Sequence, residues 1–320
     1  MVKRLRILLI RFSSIGDIVL TTPIIRCLHE QLDADVDFLT KKNFKDLLHN
    51  NPKINKIYFP GEDFNQLICR LKENKYEYIV DLQNNIRSFK IRSLLGVKSF
   101  TYSKNRFKRF MLLKFGVDTQ KNHVVDRYFD AITALKVTND EKGIDFYTNK
   151  APNFNLKQDY ISWVIGGTYE SKRLSPKQIS EVISKLDFPV CLLGSKTEKS
   201  ISSEILKLSQ SHTIYDFCGE TSIEESAFLI SKSILVLSND TGMMHIASAY
   251  DIPIISFWGC TKPSLGFYPY KANNKSVELI TPLSKKPCSK HGKKCNFKKE
   301  GCIKEISPEK IYETINTIIR

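Results

Sequence analysis

A chain of 320 residues, 42% hydrophobic and 26% charged, has a globular composition and enough length for two ordinary domains with their own cores. It contains no run near the ~18 consecutive apolar residues of a membrane-spanning helix, and the short apolar run behind its basic N-terminus ends at Arg11 without a cleavage site, so that run reads as a strand and the expected location is cytoplasmic. The formal charge of +15 favours an anionic partner: nucleic acid, an anionic membrane surface or a polyanionic substrate.

In chain order, Leu5–Ile10 reads as a strand and Ser13 to Asp17 as a turn. A helix over 17–32 follows, with Ile18, Leu20, Ile24, Ile25 and Leu28 at helical spacing and Pro23 tolerated in its first turns. Strands over 35–39, 56–58 and 78–81 then alternate with helical segments over 42–49 and 64–73, which predicts a parallel sheet covered on both faces. Residues 98–110 interleave Lys and Arg with Phe and Tyr. That run reads either as a solvated face or as a patch for phosphorylated lipid or saccharide at a membrane surface, and no nucleic-acid motif accompanies it. The polar segment 139–157 is the expected linker. Beyond it the pattern restarts, with strands over 160–165, 189–193, 213–216, 234–237 and 253–257 and a last helix over 308–319.

This predicts an α/β protein of two Rossmann-like domains, 1–155 and 156–320, whose parallel sheets face a central cleft and bind ligands at strand carboxyl ends. No Gly-x-Gly-x-x-Gly or Gly-x4-Gly-Lys-Ser/Thr follows a strand, which disfavours dinucleotide dehydrogenases and P-loop enzymes.

The richest stretch is Ser238-Asn239-Asp240-Thr241-Gly242-Met243-Met244-His245, a polar turn after a buried strand that opens a helix expected to run through Tyr250. Helix N-termini carry unpaired N–H groups and a positive dipole end, so they attract phosphate. Thr241 adds a hydroxyl, Gly242 permits close backbone approach and His245 can donate one turn in. The alternative is an N-cap above a core histidine.

Taken with the N-terminal Arg11-Phe12-Ser13-Ser14-Ile15-Gly16-Asp17, the Asp81-to-Ser88 and His123-to-Tyr128 segments and the tail Cys288, Cys295, Cys302 and Ile306-Ser307-Pro308-Glu309, this stretch resembles glycosyltransferase family 9, the lipopolysaccharide heptosyltransferases. The resemblance implies a GT-B fold with the acceptor in the N-terminal domain, the nucleotide sugar in the C-terminal domain and a last helix that packs back on the first. It implies an inverting transferase moving heptose from ADP-heptose to a Kdo- or heptose-containing core acceptor, an anionic glycolipid. It also implies a peripheral association with the inner-membrane surface, no nucleic-acid partner and no cofactor. Alternatives are a GT-B transferase using another nucleotide sugar, or a non-catalytic binder of nucleotide sugar or anionic lipid.

Such a transfer needs a base for the acceptor hydroxyl and charge stabilisation for the leaving diphosphate. Asp17 is the candidate base, and the plainer reading makes it a helix cap. No Asp-x-Asp stands at a C-terminal-domain strand end, and Asp33 and Asp35 lie before the second strand, so metal-free catalysis is expected. Lys172 matches the family's donor-contacting lysine, with Arg173 beside it. Thr168, Glu198, Asp240, Thr241, Gly242 and His245 complete the expected donor site, Glu198 being equally readable as a first-turn helix carboxylate, and the Thr221-Ser222 loop is expected to touch the nucleotide's base. Arg11, Ser14, Gln83, Asn84 and Arg87 are the acceptor candidates. The tail leaves two readings open: a Cys3His zinc site of Cys288, His291, Cys295 and Cys302, or reduced thiols able to form one disulfide. Cys27, Cys69, Cys191, Cys218 and Cys260 read as ordinary buried thiols.

Overall fold

The computed structural model describes residues 4–61, 63–118, 122–153, 158–209 and 213–320. The chain divides into two compact units, residues 1–104 with 122–147 and residues 105–121 with 148–320. The division at 147/148 falls inside the segment 139–157, while residue 155, the expected boundary, lies outside the described residues.

The first unit contains β1 (Leu5–Ile10), α1 (Ile15–Val19), α2 (Thr22–Leu32), β2 (Ala34–Leu39), β3 (Ile54–Tyr58), α3 (Phe64–Glu73), β4 (Tyr78–Asp81), α4 (Ile86–Leu95) and β5 (Ser99–Thr101). The chain leaves for α5 (Arg106–Phe115) of the second unit and returns with α6 (Val124–Ile132). The sheet is parallel in the order β3-β2-β1-β4-β5. One of its faces packs Leu8, Ile10, Leu39 and Ile79 against Leu67, Leu71 and Ile91.

The helix expected over 17–32 is two helices. Pro23 has no N–H for the carbonyl of Val19, and the hydroxyl of Thr22 donates to that carbonyl instead, at 2.8 Å. The hydroxyl of Thr21 takes Ile18 O in the same way, and the helix restarts with Ile24 and Ile25 donating to Thr21 O. Residues 42–47 wind as a 3₁₀-helix. The basic-aromatic run 98–110 is not one patch: its start forms edge strand β5 of the first unit and its end opens α5 of the second.

In the second unit α5 is followed by β6 (Ile161–Val164), α7 (Pro176–Ile183), β7 (Val190–Leu193), α8 (Lys199–Leu208), β8 (Ile214–Asp216), α9 (Ile223–Ser231), β9 (Leu235–Asn239), α10 (Gly242–Ala247), β10 (Ile254–Trp258), β11 (Val277–Ile280) and α11 (Pro308–Ile319). The sheet is again parallel, ordered β11-β10-β9-β6-β7-β8. Its four central strands, β10, β9, β6 and β7, are buried on both faces, as a parallel sheet requires. The last helix sits in this unit's own core through Ile311, Ile315 and Ile318, alongside Val182, Ile183 and Leu279.

Both strand orders reverse direction once, between β1 and β4 in the first sheet and between β6 and β9 in the second. Open α/β sheets bind ligands outside the strand carboxyl ends at such a reversal.

Candidate active site

At the first reversal, the turn after β1 meets the turn after β4. Arg11, 6% exposed, donates through Nε to Ser13 O at 3.0 Å and through Nη1 to Leu82 O, and its Nη2 lies 2.6 Å from Asp17 Oδ1. Gln83 accepts from Phe12 N at 2.9 Å, which ties the two turns together. Asp81, fully buried and paired with Arg92 at 2.9 Å, holds the backbone N–H groups of Gln83 and Asn84. Asn84 takes a positive φ of 45° and donates to Tyr102 O at 3.1 Å. Arg87 is exposed at the start of α4, with its guanidinium over the Phe12 ring at 5.9 Å. Arg11, Ser14, Asp17, Gln83, Asn84 and Arg87 therefore gather in one neighbourhood.

Asp17 does form the helix cap of the plainer reading. It is the third residue of α1, and its Oδ2 accepts from Ser14 N at 3.1 Å and Ser14 Oγ at 3.0 Å. Burial pushes its carboxyl pKa up, but the Arg11 charge and the Ser14 hydrogen bonds outweigh burial and hold it below the ordinary aspartate value. The side chain stays 23% exposed, so a capping Asp17 remains reachable.

At the second reversal, the turn after β6 carries Gly166, Gly167, Thr168, Lys172 and Arg173, and the turn after β9 carries Asp240, Thr241 and Gly242. Lys172 Nζ lies 2.7 Å from Asp240 Oδ2, and Thr261, from the turn after β10, donates to the same oxygen at 2.7 Å. Asn239 fastens the two turns by donating to Ile165 O and Gly166 O at 3.1 and 3.0 Å. Thr241 is the N-cap of α10, but its hydroxyl oxygen accepts no capping bond from the helix; its Oγ1 lies 3.5 Å from Ser238 Oγ. His245 is buried, at 4% exposure, in the middle of α10. That helix stops at Ala247 and not at Tyr250, and the hydroxyl of Ser248 donates to His245 O at 2.8 Å. A helix this short has a weak dipole, so side chains must carry most of any anion binding here.

The other donor candidates spread along the sheet. Thr168 is exposed in its turn. Glu198 is 6% exposed and turns inward as a first-turn carboxylate: it accepts from Ser195 N and Oγ at 3.0 and 2.6 Å and from Thr197 Oγ1 at 2.9 Å. Arg173 approaches it at 3.7 Å, which separates Arg173 from Lys172: one pairs with Glu198, the other with Asp240. Ser222 caps α9, and Thr221 shares a hydrogen bond with Ser226 at 2.8 Å.

The cysteines differ from the expectation. The thiols that converge are Cys260, Cys288, Cys295 and Cys302, with the Sγ atoms all within 4.8 Å of one another. His291 is exposed and outside that group, so of the two readings of the tail the Cys3His set does not form, and the cysteines are free thiols that gather as four sulfurs. Cys260 is thus not an ordinary core thiol, and Cys69 is exposed. Cys260 and Thr261 join from the turn after β10, and the Gly259-Cys260-Thr261 run at that strand's carboxyl end is the sequence signal that points to them.

Two Rossmann-like units, each with polar and charged side chains collected at the reversal point of a parallel sheet, are the architecture of GT-B glycosyltransferases. The family model of glycosyltransferase family 9 (heptosyltransferase) matches residues 64–299, and the chain belongs to that family of transferase enzymes. It is 24% identical to lipopolysaccharide heptosyltransferase 1 of Campylobacter coli, over 98% of this chain and 99% of that protein. Among solved structures it resembles the glycosyltransferase family 9 protein of Veillonella parvula, with a TM-score of 0.80 at 17% identity over 100% and 98% of the two chains. It also resembles the ADP-heptose lipopolysaccharide heptosyltransferase II of E. coli, with a TM-score of 0.75 at 20% identity over 98% of each.

Proposed function

We propose that this enzyme transfers a heptose from ADP-heptose to a Kdo- or heptose-containing lipopolysaccharide core acceptor, with inversion and without a catalytic metal. The observation that carries the reading is the coincidence of the candidate residues with both sheet reversals, the Lys172–Asp240 pair above all. The donor and acceptor classes follow the relatives named lipopolysaccharide heptosyltransferase.

In this reading Asp17 accepts the proton of the acceptor hydroxyl as its oxygen attacks the anomeric carbon. The bond from that carbon to the diphosphate oxygen breaks, and its electron pair leaves with ADP. One displacement inverts the anomeric centre. Lys172, Thr241, His245 and the backbone at Gly242 stabilise the charge that develops on the diphosphate. Arg11 and Arg87 meet anionic groups of the acceptor. Asp33 and Asp35 sit at the amino end of β2, away from the ligand-binding edge, which supports charge stabilisation by side chains.

A peripheral position at a membrane surface is supported by α5, where Phe107, Phe110 and Phe115 are exposed by 74, 53 and 61% among Arg106, Lys108 and Lys114. Among the described residues no helix is long and apolar enough to cross a membrane.

A thermal-shift comparison of ADP, UDP, GDP and CDP tests the donor class, because a ligand that binds only the native state raises its stability by mass action. ADP is expected to give the largest shift. A larger shift with another nucleoside diphosphate would move the donor assignment to that nucleotide.

A further inference from the structure

The segment between β11 and α11 carries no regular structure from residue 281 until a 3₁₀ turn at Cys302–Glu305, and over 281–301 it buries only Thr281, Pro287, Gly292 and Gly301. Loops of that length without a core need another source of order. The four thiols supply a candidate. Cys288, Cys295 and Cys302 come from this segment and its turn, and Cys260 comes from the end of β10.

We propose that Cys260, Cys288, Cys295 and Cys302 bind one zinc or ferrous ion as a tetrathiolate. A tetrahedron with metal–sulfur bonds of about 2.3 Å has edges of about 3.8 Å. Cys260 Sγ and Cys302 Sγ lie 3.7 Å apart, close to that edge and far from disulfide bonding distance. Two backbone N–H groups, of Phe297 and Lys298, point at Cys295 Sγ at 3.5 and 3.4 Å, the kind of outer hydrogen bonds that hold and tune thiolate ligands. The charge is also partly compensated. Binding releases the four thiol protons to solvent and leaves a complex of about −2. Lys262, 1% exposed and with no hydrogen-bond partner for its Nζ, stands two residues from Cys260 as a buried amine whose proton would offset one unit of that charge. All-sulfur tetrahedral sites suit zinc and iron above other common metals.

The site braces the Lys172 turn. Ser171 Oγ donates to Gly292 O. A Cβ at Gly292 would lie 2.6 Å from Lys172 Cγ, and one at Gly301 would lie 2.5 Å from Ser171 Cα. On the other side, a Cβ at Gly259 would lie 2.5 Å from Ile303 Cβ. The cysteine segment therefore rests directly on the stem of Lys172 and on the turn that carries Thr261, with no room between them.

The test is elemental analysis of the full chain, purified anaerobically from cells supplied with zinc and iron, together with hydrogen exchange. About one ion per chain is expected, and the element found separates zinc from iron. Cys295→Ser, which alters a partly exposed ligand on the loop, should lose it; His291→Ala and Cys69→Ser should keep it. Reconstitution with cobalt should give the intense visible absorption of a tetrahedral thiolate complex. Stripping the metal should speed amide exchange over 169–173 and 288–301. A metal-free native chain whose four thiols titrate freely, a Cys260–Cys302 disulfide in freshly purified protein, or full metal retention in Cys295→Ser would each overturn the site. Unchanged exchange on stripping would overturn the bracing role.

Discussion

Lys172 Nζ and Asp240 Oδ2 lie 2.7 Å apart, joining the turns after β6 and β9 across the point where the second sheet reverses. Both side chains are mostly buried, at 12 and 14% exposure, and Thr261 donates to the same carboxylate oxygen. Asp240 thus sets the lysine's position.

Removing that lysine should weaken binding of the diphosphate and spare the nucleoside. Lys172→Met is expected to cost ADP on the order of 1.5–3 kcal/mol, the usual worth of a hydrogen bond to a charged group. Adenosine should lose little. His245→Ala should show the same pattern with a smaller loss, and Gly242→Val should be worse than either because a branched side chain blocks the backbone. Calorimetry with ADP and adenosine measures all of these. Equal losses for both ligands in His245→Ala would return His245 to a packing role.

Asp17 is expected to set turnover. Asp17→Asn should lower kcat by about 10²–10⁴-fold with ADP affinity unchanged, the range for a general base. Steady-state kinetics beside ADP calorimetry gives both numbers.

The Arg11 pairing makes a prediction about pH. The Asp17 pKa is lowered in the fold, so its ionised form and the stability it contributes are complete above the ordinary aspartate value and are lost only as pH falls through the lower folded value. The acid limb of the kcat/KM profile, which reports the free enzyme, should therefore lie below the usual carboxylate range for this group. Arg11→Gln removes the principal opposing charge and should move that limb upward. An unmoved limb would show that another group titrates there.

The first unit should depend on Arg26. This buried arginine donates to Asp140 at 2.7 and 2.8 Å and to Gly143 O at 2.9 Å, and it pairs with Asp145, tying α2 to the segment before 147. Its hydrogen bonds hold the Asp140 carboxyl down at about 2, whereas burial pushes the Asp145 carboxyl up. Arg26→Met leaves those carboxylates without their partner and should cost about 3–5 kcal/mol in urea unfolding. The Asp140 share of stability should persist above the ordinary aspartate pKa and fade as pH drops toward about 2.

Much of this protein was legible in its sequence for physical reasons. Parallel strands buried on both faces read as continuous apolar runs, and Leu5–Ile10, Tyr78–Asp81 and the strands at 190–193 and 235–239 stand out that way. A polar turn at a strand end flagged Asp240, and the family resemblance singled out Asp17 and Lys172. What stayed hidden depended on partners distant in the chain. Apolar spacing through 17–32 concealed a break set by Pro23 and the Thr22 hydroxyl. The assignment of α5 to the second unit, and the meeting of Cys260 with cysteines 28 to 42 residues later, are tertiary facts that local pattern does not encode.

The most direct measurement of the central claim is a transfer assay with purified enzyme, ADP-heptose and a Kdo-containing lipid acceptor, followed by mass spectrometry of the glycolipid and by ADP release. The account predicts an acceptor heavier by a heptose residue, equimolar ADP, an inverted anomeric centre by NMR, and activity that survives brief exposure to EDTA. Transfer from a different nucleotide sugar but not from ADP-heptose, a retained anomeric configuration, or a requirement for added Mg²⁺ or Mn²⁺ would contradict it.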